Sequence, residues 1–439
     1  MLAILAFSMV AIFMALILAG RVSAMVALIL TPIVFALIAG FDRELGAMML
    51  EGVKSLAPTG VMLIFAILYF GLMMDAGLFD PLIRAIVSFA HGDPVRILMG
   101  TAALALTVSL DGDGSTTYMI TTAAMIPLYR HLRMDMRKLA CVLVLSSAVM
   151  NILPWGGPTA RVMGALKLDA EHVFLPLIPA MVATAAWVLF VAWRFGLAER
   201  RRLAALPEEA IDEDASGSAV IAENPEAHLE ARRPRLFWFN LALTVALMAA
   251  LILNLLPLAI LFMVAFAIAI TVNFPKIADQ RARIAAHAGN ALPVAGMVFA
   301  AGVFTGILSG TGMTAAMSYT VTAFTPPALG PYLAPIVALL SAPFTYFISN
   351  DAFYFGVLPI LADAAGAYGL TPAQIGRAAL VGQQVHLLSP LVPSTYLLVG
   401  LAGIEFGALT RMALPWALGA CGVFLLACLA TGAFPLAAG

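Results

Sequence analysis

The sequence predicts an all-α membrane protein that crosses the bilayer many times and consists of two repeats of opposite orientation. Of its 439 residues, 63% are hydrophobic and only 11% are charged, against about 25% charged in an ordinary soluble domain. The mean hydropathy is +1.02, so most of the surface must face lipid. This composition excludes a soluble enzyme and a secreted disulfide scaffold. The net charge of −1 gives no basic surface for nucleic acid.

Ten apolar segments are long enough to cross the bilayer as helices, which takes about 20 residues each. They are 2–20, 23–41, 57–74, 138–160, 173–193, 236–256, 257–274, 290–314, 376–402 and 412–435. Two further apolar stretches, 97–128 and 333–362, are too long for one helix and carry polar residues at their centres. We predict that each forms a re-entrant hairpin, whose tip must be covered by protein or water.

The chain aligns with itself at an offset of 235 residues, which indicates an internal repeat. Five identities carry the alignment, namely Pro58, Met62, Ala66, Gly71 and Gly77 on Pro293, Met297, Ala301, Gly306 and Gly312. Each half holds five spans and one hairpin, so the second half enters the membrane from the opposite side. Inverted-topology repeats are typical of secondary transporters. The predicted repeats are 1–194 and 236–439, and the charged segment 195–235 is the predicted cytoplasmic linker.

The distribution of Lys and Arg predicts the orientation. With the N-terminus outside, 18 of the 23 basic residues lie on the inner side, as the positive-inside rule requires. Five remain on the outer side: Arg43, Lys54, Arg161, Lys167 and Arg377. We therefore predict a multi-pass protein of the cell inner (cytoplasmic) membrane with both termini outside.

Ionisable side chains within apolar stretches are costly, which makes each of them a candidate functional residue. They are Asp75, Asp111, Asp113, Asp351 and His386. Asp75 lies near a helix end, whereas the other four lie at the hairpin tips or at a break in a span.

The two predicted hairpin tips are rich in ligand-binding side chains. The first contains Asp111, Asp113, Ser115 and Thr116, with glycines that permit a tight turn and close approach to a ligand. Its hydroxyls can cap the next half-helix, whose N-terminus favours an anion. A calcium loop also alternates Asp and Gly, but its later acidic ligand is missing here. The second tip is Ser349, Asn350 and Asp351. Helix capping without ligand binding is the alternative interpretation of both tips.

One span in each half is predicted to be unwound, because Pro and Gly residues interrupt 151–159 and two prolines interrupt 386–394. The freed carbonyls and helix ends would face a cavity shared with the tips. The candidate binding residues at these breaks are Asn151, Gly157, Pro158, Thr159, His386, Ser389, Pro393 and Ser394. Kinked helices that bind nothing are the alternative.

Five motifs, in order along nearly the whole chain, resemble the citrate–metal–proton symporter family, which is similar in turn to the ion-transporter superfamily of divalent-anion/sodium symporters. They are Asp111-Gly-Asp-Gly-Ser-Thr-Thr-Tyr118, Asn151-Ile-Leu-Pro-Trp-Gly-Gly-Pro-Thr-Ala-Arg161, Leu308-Ser-Gly-Thr-Gly312, Ile348-Ser-Asn-Asp-Ala-Phe-Tyr-Phe-Gly356 and His386-Leu-Leu-Ser-Pro-Leu-Val-Pro393.

The resemblance implies uptake of citrate, a tricarboxylate, as a complex with a divalent metal ion and coupled to protons. It also implies a homodimer of elevator type, in which a transport domain moves against a scaffold domain. Sodium-coupled relatives carry Ser-Asn-Thr at both tips, whereas Gly114-Ser115-Thr116 and Ser349-Asn350-Asp351 stand here. This departure favours protons as the coupling ion and predicts no permanently bound cofactor, only Mg²⁺ or Ca²⁺ as co-substrate.

Charge balance favours a substrate that carries its own cation. The predicted site holds Asp111, Asp113 and Asp351 but only one base, Arg161, so free citrate, close to a trianion, would be repelled. One like-charge pair at 4 Å costs about 4 kcal/mol at an effective dielectric near 20. A divalent metal lowers the charge of the complex to about −1 and takes oxygen ligands, for which we expect Asp113 and Asp351. The candidates for proton coupling are Asp113, Asp351 and His386.

Three alternatives remain open from the residues alone. The first is another di- or tricarboxylate symporter, and the second is a cation/proton antiporter or metalloid exporter of the same superfamily. The third is an intramembrane hydrolase that uses Asp113, Asp351 and His386, although the two-histidine spacing of zinc enzymes is missing. We predict a transporter and not an enzyme.

Overall fold

The structure is a computed structural model that describes residues 2–19, 21–81, 84–85, 92–112, 114–205, 232–253 and 255–438. Within these ranges all regular secondary structure is helical. Six helices are long and apolar enough to cross a membrane, and further apolar helices of 10–17 residues accompany them. This confirms the predicted all-α class, although the predicted spans are divided differently between long and short helices.

The first half of the chain contains nine helices in its described part. They are α1 (Leu2–Leu18), α2 (Ala24–Ile38), α3 (Leu45–Asp75), α4 (Pro94–Val108), α5 (Gly114–His131), α6 (Met136–Met150), α7 (Gly157–Leu166), α8 (Ala170–Phe174) and α9 (Ile178–Ala204). Helix α9 extends into the predicted linker as far as Ala204, and residues 206–231 of that linker lie outside the described residues.

The described part of the second half contains ten helices in a similar order. They are α10 (Phe237–Ile252), α11 (Leu258–Asn273), α12 (Ile277–Gly310), α13 (Met313–Phe324), α14 (Leu333–Phe347), α15 (Leu358–Gly366), α16 (Pro372–Ala379), α17 (Gln383–His386), α18 (Pro393–Ala402) and α19 (Phe406–Thr431). A π-helix, Ala352–Val357, precedes α15. Neither α13 nor the π-helix is predicted from the sequence, because a 12-residue helix is too short to register as a span.

Each predicted hairpin is a pair of helices separated by a short tip. Helices α4 and α5 pack against each other on either side of the first tip, and α14 and α15 do so around the second. The predicted span 138–160 is divided into α6 and α7, and 376–402 into α16, α17 and α18. Helix α6 is buried on all sides from Leu139 to Val149, as a helix at the centre of a protein must be. The break that follows α6 therefore lies in the protein interior.

Helices α3 and α12 form the most extensive helix pair in the described residues. Near one end, a Cβ on Gly306 would lie 2.4 Å from the Met48 carbonyl oxygen, so only glycine permits this approach. Near the other, a Cβ on Gly71 would lie 2.5 Å from His287 Nδ1. At the offset of 235 residues, Gly71 corresponds to Gly306 and His287 to Gly52, which itself contacts Gly306. The two contacts therefore exchange roles between the halves, as a two-fold relation requires.

Candidate functional site at the helix breaks and hairpin tips

The first break is a tight turn between α6 and α7. The backbone folds back so closely that a Cβ on Gly156 would lie 2.0 Å from the carbonyl oxygen of Asn151. Pro158 occupies the first turn of α7, where its missing N–H has no helical acceptor to lose. Thr159 Oγ1 donates a hydrogen bond of 2.7 Å to the carbonyl of Ile152. Its buried hydroxyl thus satisfies one of the carbonyls that the break releases.

The second break repeats this construction. Helix α17 ends at His386 and α18 begins at Pro393, again with proline in the first turn. Thr395 Oγ1 donates to the carbonyl of Leu387, just as Thr159 donates to Ile152. Helices α7 and α18 both have ten residues. Thr395, not the predicted Ser394, is therefore the counterpart of Thr159.

The first tip packs between the two breaks. A 3-10 turn, Ser109–Asp111, leads to Gly112, whose φ of 78° favours glycine. Trp155 Nε1, from the first break, donates 2.8 Å to the Leu110 carbonyl. A Cβ on Gly114 would lie 3.5 Å from Ser394 Oγ, beyond the second break. Asp113 and the side chain of Asp111 lie outside the described residues, whereas Ser115 and Thr116 are half-buried in the first turn of α5.

The second tip also contacts both breaks. Its Ile348 is extended, and Ser349 Oγ accepts a 3.2 Å hydrogen bond from the Ala352 N–H at the start of the π-helix. Asp351 Oδ1 accepts a 2.6 Å hydrogen bond from Arg161 Nε on α7. The Asp351 side chain is 14% exposed and that of Arg161 is 23% exposed. This ion pair joins residues 190 positions apart and connects the second tip to the helix that follows the first break. π-Helices occur frequently at functional sites.

Amide groups connect the second tip to the segment before the second break. Gln383 Nε2 donates to Asn350 Oδ1 at 3.1 Å, and Asn350 Nδ2 donates to Gln383 Oε1 at 3.4 Å. Gln383 Nε2 also donates to the Tyr354 hydroxyl at 2.7 Å. All three side chains are buried, so these hydrogen bonds hold the tip in one position relative to α17.

His386 is buried beside the second hairpin. Its Nδ1 donates a 2.8 Å hydrogen bond to the carbonyl of Thr345 on α14. Because a carbonyl only accepts, Nδ1 carries the hydrogen and Nε2 is the nitrogen that can accept a proton. His386 lies within electrostatic range of Arg161 and Asp351. Two predicted site residues therefore lie near one cation that the predicted site residues did not include.

Other predicted residues have roles in the turn itself or lie elsewhere. Ser389 Oγ, fully buried, accepts from the Leu391 N–H at 3.2 Å. Asn151 is half-buried at the C-terminus of α6. Asp75 is distant in the fold, at the end of α3, where Arg283 and His287 of α12 bind its Oδ2 at 3.3 and 2.9 Å. In the described residues, no three His, Cys, Asp or Glu side chains could together hold a metal ion.

Sequence reasoning missed the two adjacent glutamines. Gln384 is fully buried, and neither its Oε1 nor its Nε2 has a hydrogen-bond partner among the described residues. The same holds for the hydroxyls of Thr117, Thr121 and Ser146. The search considered only ionisable groups. Two consecutive amides in an apolar run, two residues before His386, were the signal that could have identified Gln383 and Gln384.

The fold resembles two solved transporter structures. YdaH from Alcanivorax borkumensis is 15% identical, with a TM-score of 0.57 over 91% of this chain and 90% of that one. MtrF from Neisseria gonorrhoeae is also 15% identical, with a TM-score of 0.59 over 90% of this chain and 84% of that one. At this identity the resemblance concerns the fold alone.

Sequence comparison gives the family. A citrate transporter from Bacillus subtilis is 59% identical over 98% of this chain and 99% of its own length. A Mg²⁺/citrate complex secondary transporter from the same organism is 48% identical over 95% of both chains. The sequence model of the citrate transporter (CitMHS) family matches residues 1–382. The protein therefore belongs to the citrate transporter family and is a membrane transporter, not an enzyme.

Proposed function

We propose that this carrier takes up citrate as a complex with a divalent metal ion, in symport with protons. The observation that carries the proposal is the Arg161–Asp351 ion pair between the first break and the second tip. It presents one cation and one anion at the point where the elements meet. A metal–citrate complex also presents both charges, since its carboxylates suit a guanidinium and its metal suits a carboxylate. The B. subtilis Mg²⁺/citrate transporter supports this substrate class.

Substrate binding would replace the pair rather than add to it. A citrate carboxylate that binds Arg161 removes the partner of Asp351, and the metal that arrives with citrate can take its place. Free citrate brings three negative charges and leaves Asp351 without a cation in a poorly hydrated site. The arrangement therefore favours the complex over the free anion, with Asp351 and the predicted Asp113 as the metal-facing carboxylates.

Proton coupling would use the same exchange. A carboxylate that loses its guanidinium partner inside a protein is stabilised either by a metal ion or by a proton. His386 offers Nε2 as a second proton acceptor near this pair. We assign proton coupling to Asp113, Asp351 and His386, and substrate binding to the tips and breaks named above.

The architecture we propose is two inverted repeats, 1–194 and 236–439, joined by the linker 195–235. The exchanged glycine contacts of α3 and α12 support it, as do the matching breaks. We further propose a homodimer in the inner membrane, with both termini outside. Residues 57–160 and 290–402 would move as an elevator, because every tip and break lies within them.

Uptake of labelled citrate into proteoliposomes tests the function. We expect accumulation that is driven by a pH gradient, disappears with a chelator and returns with excess divalent metal. Undiminished uptake after removal of all divalent metal would refute the proposed substrate. Uptake without a pH gradient at the same rate would refute proton coupling.

A further inference from the structure

A pocket of about 170 Å³ lies beside the second hairpin, away from the tips and breaks. Its wall contains two opposite charges, Lys167 and Asp363, together with the hydroxyl groups of Ser309 and Thr314. Lys167 and Asp363 are exposed, so the pocket communicates with the aqueous side. Its chemical character, one cation and one anion with hydroxyls between them, matches that of the Arg161–Asp351 site.

Two helices lead from the Arg161–Asp351 pair to this pocket. Arg161 lies in α7, and Lys167 follows the last residue of that helix, about 9 Å further along the axis. Asp351 directly precedes the π-helix, which continues into α15 and carries Phe355 and Asp363 to the pocket wall. The two helices pack together, with Gly164 facing the Phe355 ring. The pocket therefore lies at the outer end of the same helix pair that begins at the proposed substrate site.

Lys167 stands where the backbone favours glycine. It has φ 54° and ψ 48° at the end of α7, and the Leu168 N–H donates to the Met163 carbonyl at 2.9 Å. This left-handed helix ending is usually occupied by glycine or asparagine, because a Cβ is strained there. The second half shows the expected choice: Gly403 ends α18 with φ 65° and the equivalent hydrogen bond. The first half thus keeps a strained lysine where its own counterpart is glycine.

The predicted orientation gives a second reason to regard Lys167 as exceptional. It is one of only five basic residues on the predicted outer side, against 18 inside. Neither backbone geometry nor the positive-inside rule explains a lysine here. Strain in a backbone conformation is commonly retained for function. The side chain and the pocket that it lines are what remain to explain it.

We propose that this pocket is an outer entrance site that captures the metal-bound carboxylate substrate before it reaches Arg161 and Asp351, an inference that rests on the proposed function. Lys167 binds a substrate carboxylate and Asp363 faces the metal ion. Capture by complementary charge raises the encounter rate and lowers the substrate concentration needed for half-maximal uptake. It does not alter the slower step in which the loaded carrier moves.

Lys167→Gly tests the proposal, because it removes the charge and relieves the strain together. We expect the unfolding temperature to rise by about 1–3 °C and KM for metal–citrate to rise about threefold or more, with kcat within about twofold. Lys167→Arg keeps the charge and should keep KM near the wild-type value. Arg43→Gln removes a predicted outer charge that does not line the pocket, and should leave KM unchanged.

The outcomes separate this proposal from the proposed function. A wild-type carrier that does not take up metal–citrate refutes the proposed function, and the entrance site with it. A wild-type carrier that does so, with a Lys167→Gly variant of unchanged KM, overturns the entrance site alone. So does an equal rise of KM in Arg43→Gln, which would indicate a general effect of surface charge. Asp363→Asn should also raise KM, and an unchanged KM would overturn the role of Asp363.

Discussion

The Arg161–Asp351 ion pair is the contact on which the chemistry of this carrier depends. It joins the helix after the first break to the second tip over 190 residues of sequence. Sequence analysis identified Asp351 as an intramembrane acid but treated Arg161 only as the nearest base. A contact between residues so far apart leaves no periodicity or spacing from which it could be predicted.

Arg161→Gln and Asp351→Asn should each lower metal–citrate uptake about 10- to 100-fold, because each removes a charge-assisted contact with substrate. Arg161→Lys should restore little, since an ammonium does not reproduce the planar guanidinium. Labelled uptake at fixed metal concentration measures the effect. Arg200→Gln is the matched control: it breaks the exposed 2.7 Å pair with Asp93 outside the site, and should leave uptake near wild type. Normal uptake by Asp351→Asn would remove this residue from the site.

The equivalent threonines provide an internal comparison at the same scale. Thr159→Val and Thr395→Val each leave a buried carbonyl at a break without its hydrogen-bond donor, and each should cost about 1–3 kcal/mol of stability. Thermal unfolding of the purified carrier measures both. Similar losses are expected if the breaks are equivalent by repeat. Destabilisation by one variant and none by the other would argue against that equivalence.

Helices α3 and α12 show how the same element can differ at its two ends. At one end Asp75, with a side chain only 4% exposed, binds Arg283 and His287. The positions related by the offset of 235 residues are Gly310, Met48 and Gly52, which pack without charge. The repeat therefore preserves the helix pair and not the polar contact.

Asp75→Asn should destabilise the protein by about 3–5 kcal/mol, because it leaves buried cationic partners without their carboxylate. KM for metal–citrate should stay within twofold of wild type, since the described contacts of Asp75 lie on α12 and not at the tips or breaks. Thermal unfolding and initial uptake rates measure the two effects. A stable variant with a strongly raised KM would place Asp75 in the transport site instead.

At the scale of elements, the sequence predicted both hairpins and both broken spans because glycine, proline and charge interrupt long apolar runs there. The helix ends Val108 and Gly114 flank the first predicted tip, and Phe347 precedes the second. The π-helix after Asp351 follows from packing in three dimensions, and α13 is too short for a hydropathy signal. The hydrogen bonds of Gln383 were missed because the search admitted only charged groups.

The whole molecule brings two halves of the chain together at the tips and breaks, and the proposed elevator motion concerns that assembly. The structure offers a contact across the predicted domain boundary. Cys421 on α19 lies in the predicted scaffold, and its thiol donates at 3.4 Å to the carbonyl of Val381, in the predicted moving part. A covalent bond at this contact would join the two parts.

Val381→Cys should form a disulfide with Cys421 under a membrane-permeant oxidant, because the two backbones approach closely there. Uptake should stop on oxidation and return on reduction, while metal–citrate binding stays measurable. The same substitution combined with Cys421→Ser should be insensitive to oxidant. Full turnover with the disulfide formed would contradict relative motion of these two parts.

The claim that citrate and its metal cross together is tested most directly by counting both in the same liposomes. Wild-type proteoliposomes with an inward pH gradient would be given labelled citrate and labelled Mg²⁺ or Ca²⁺. The proposed mechanism predicts that the two accumulate in equal amounts, and that Asp351→Asn abolishes both together. Accumulation of citrate without the metal would contradict it.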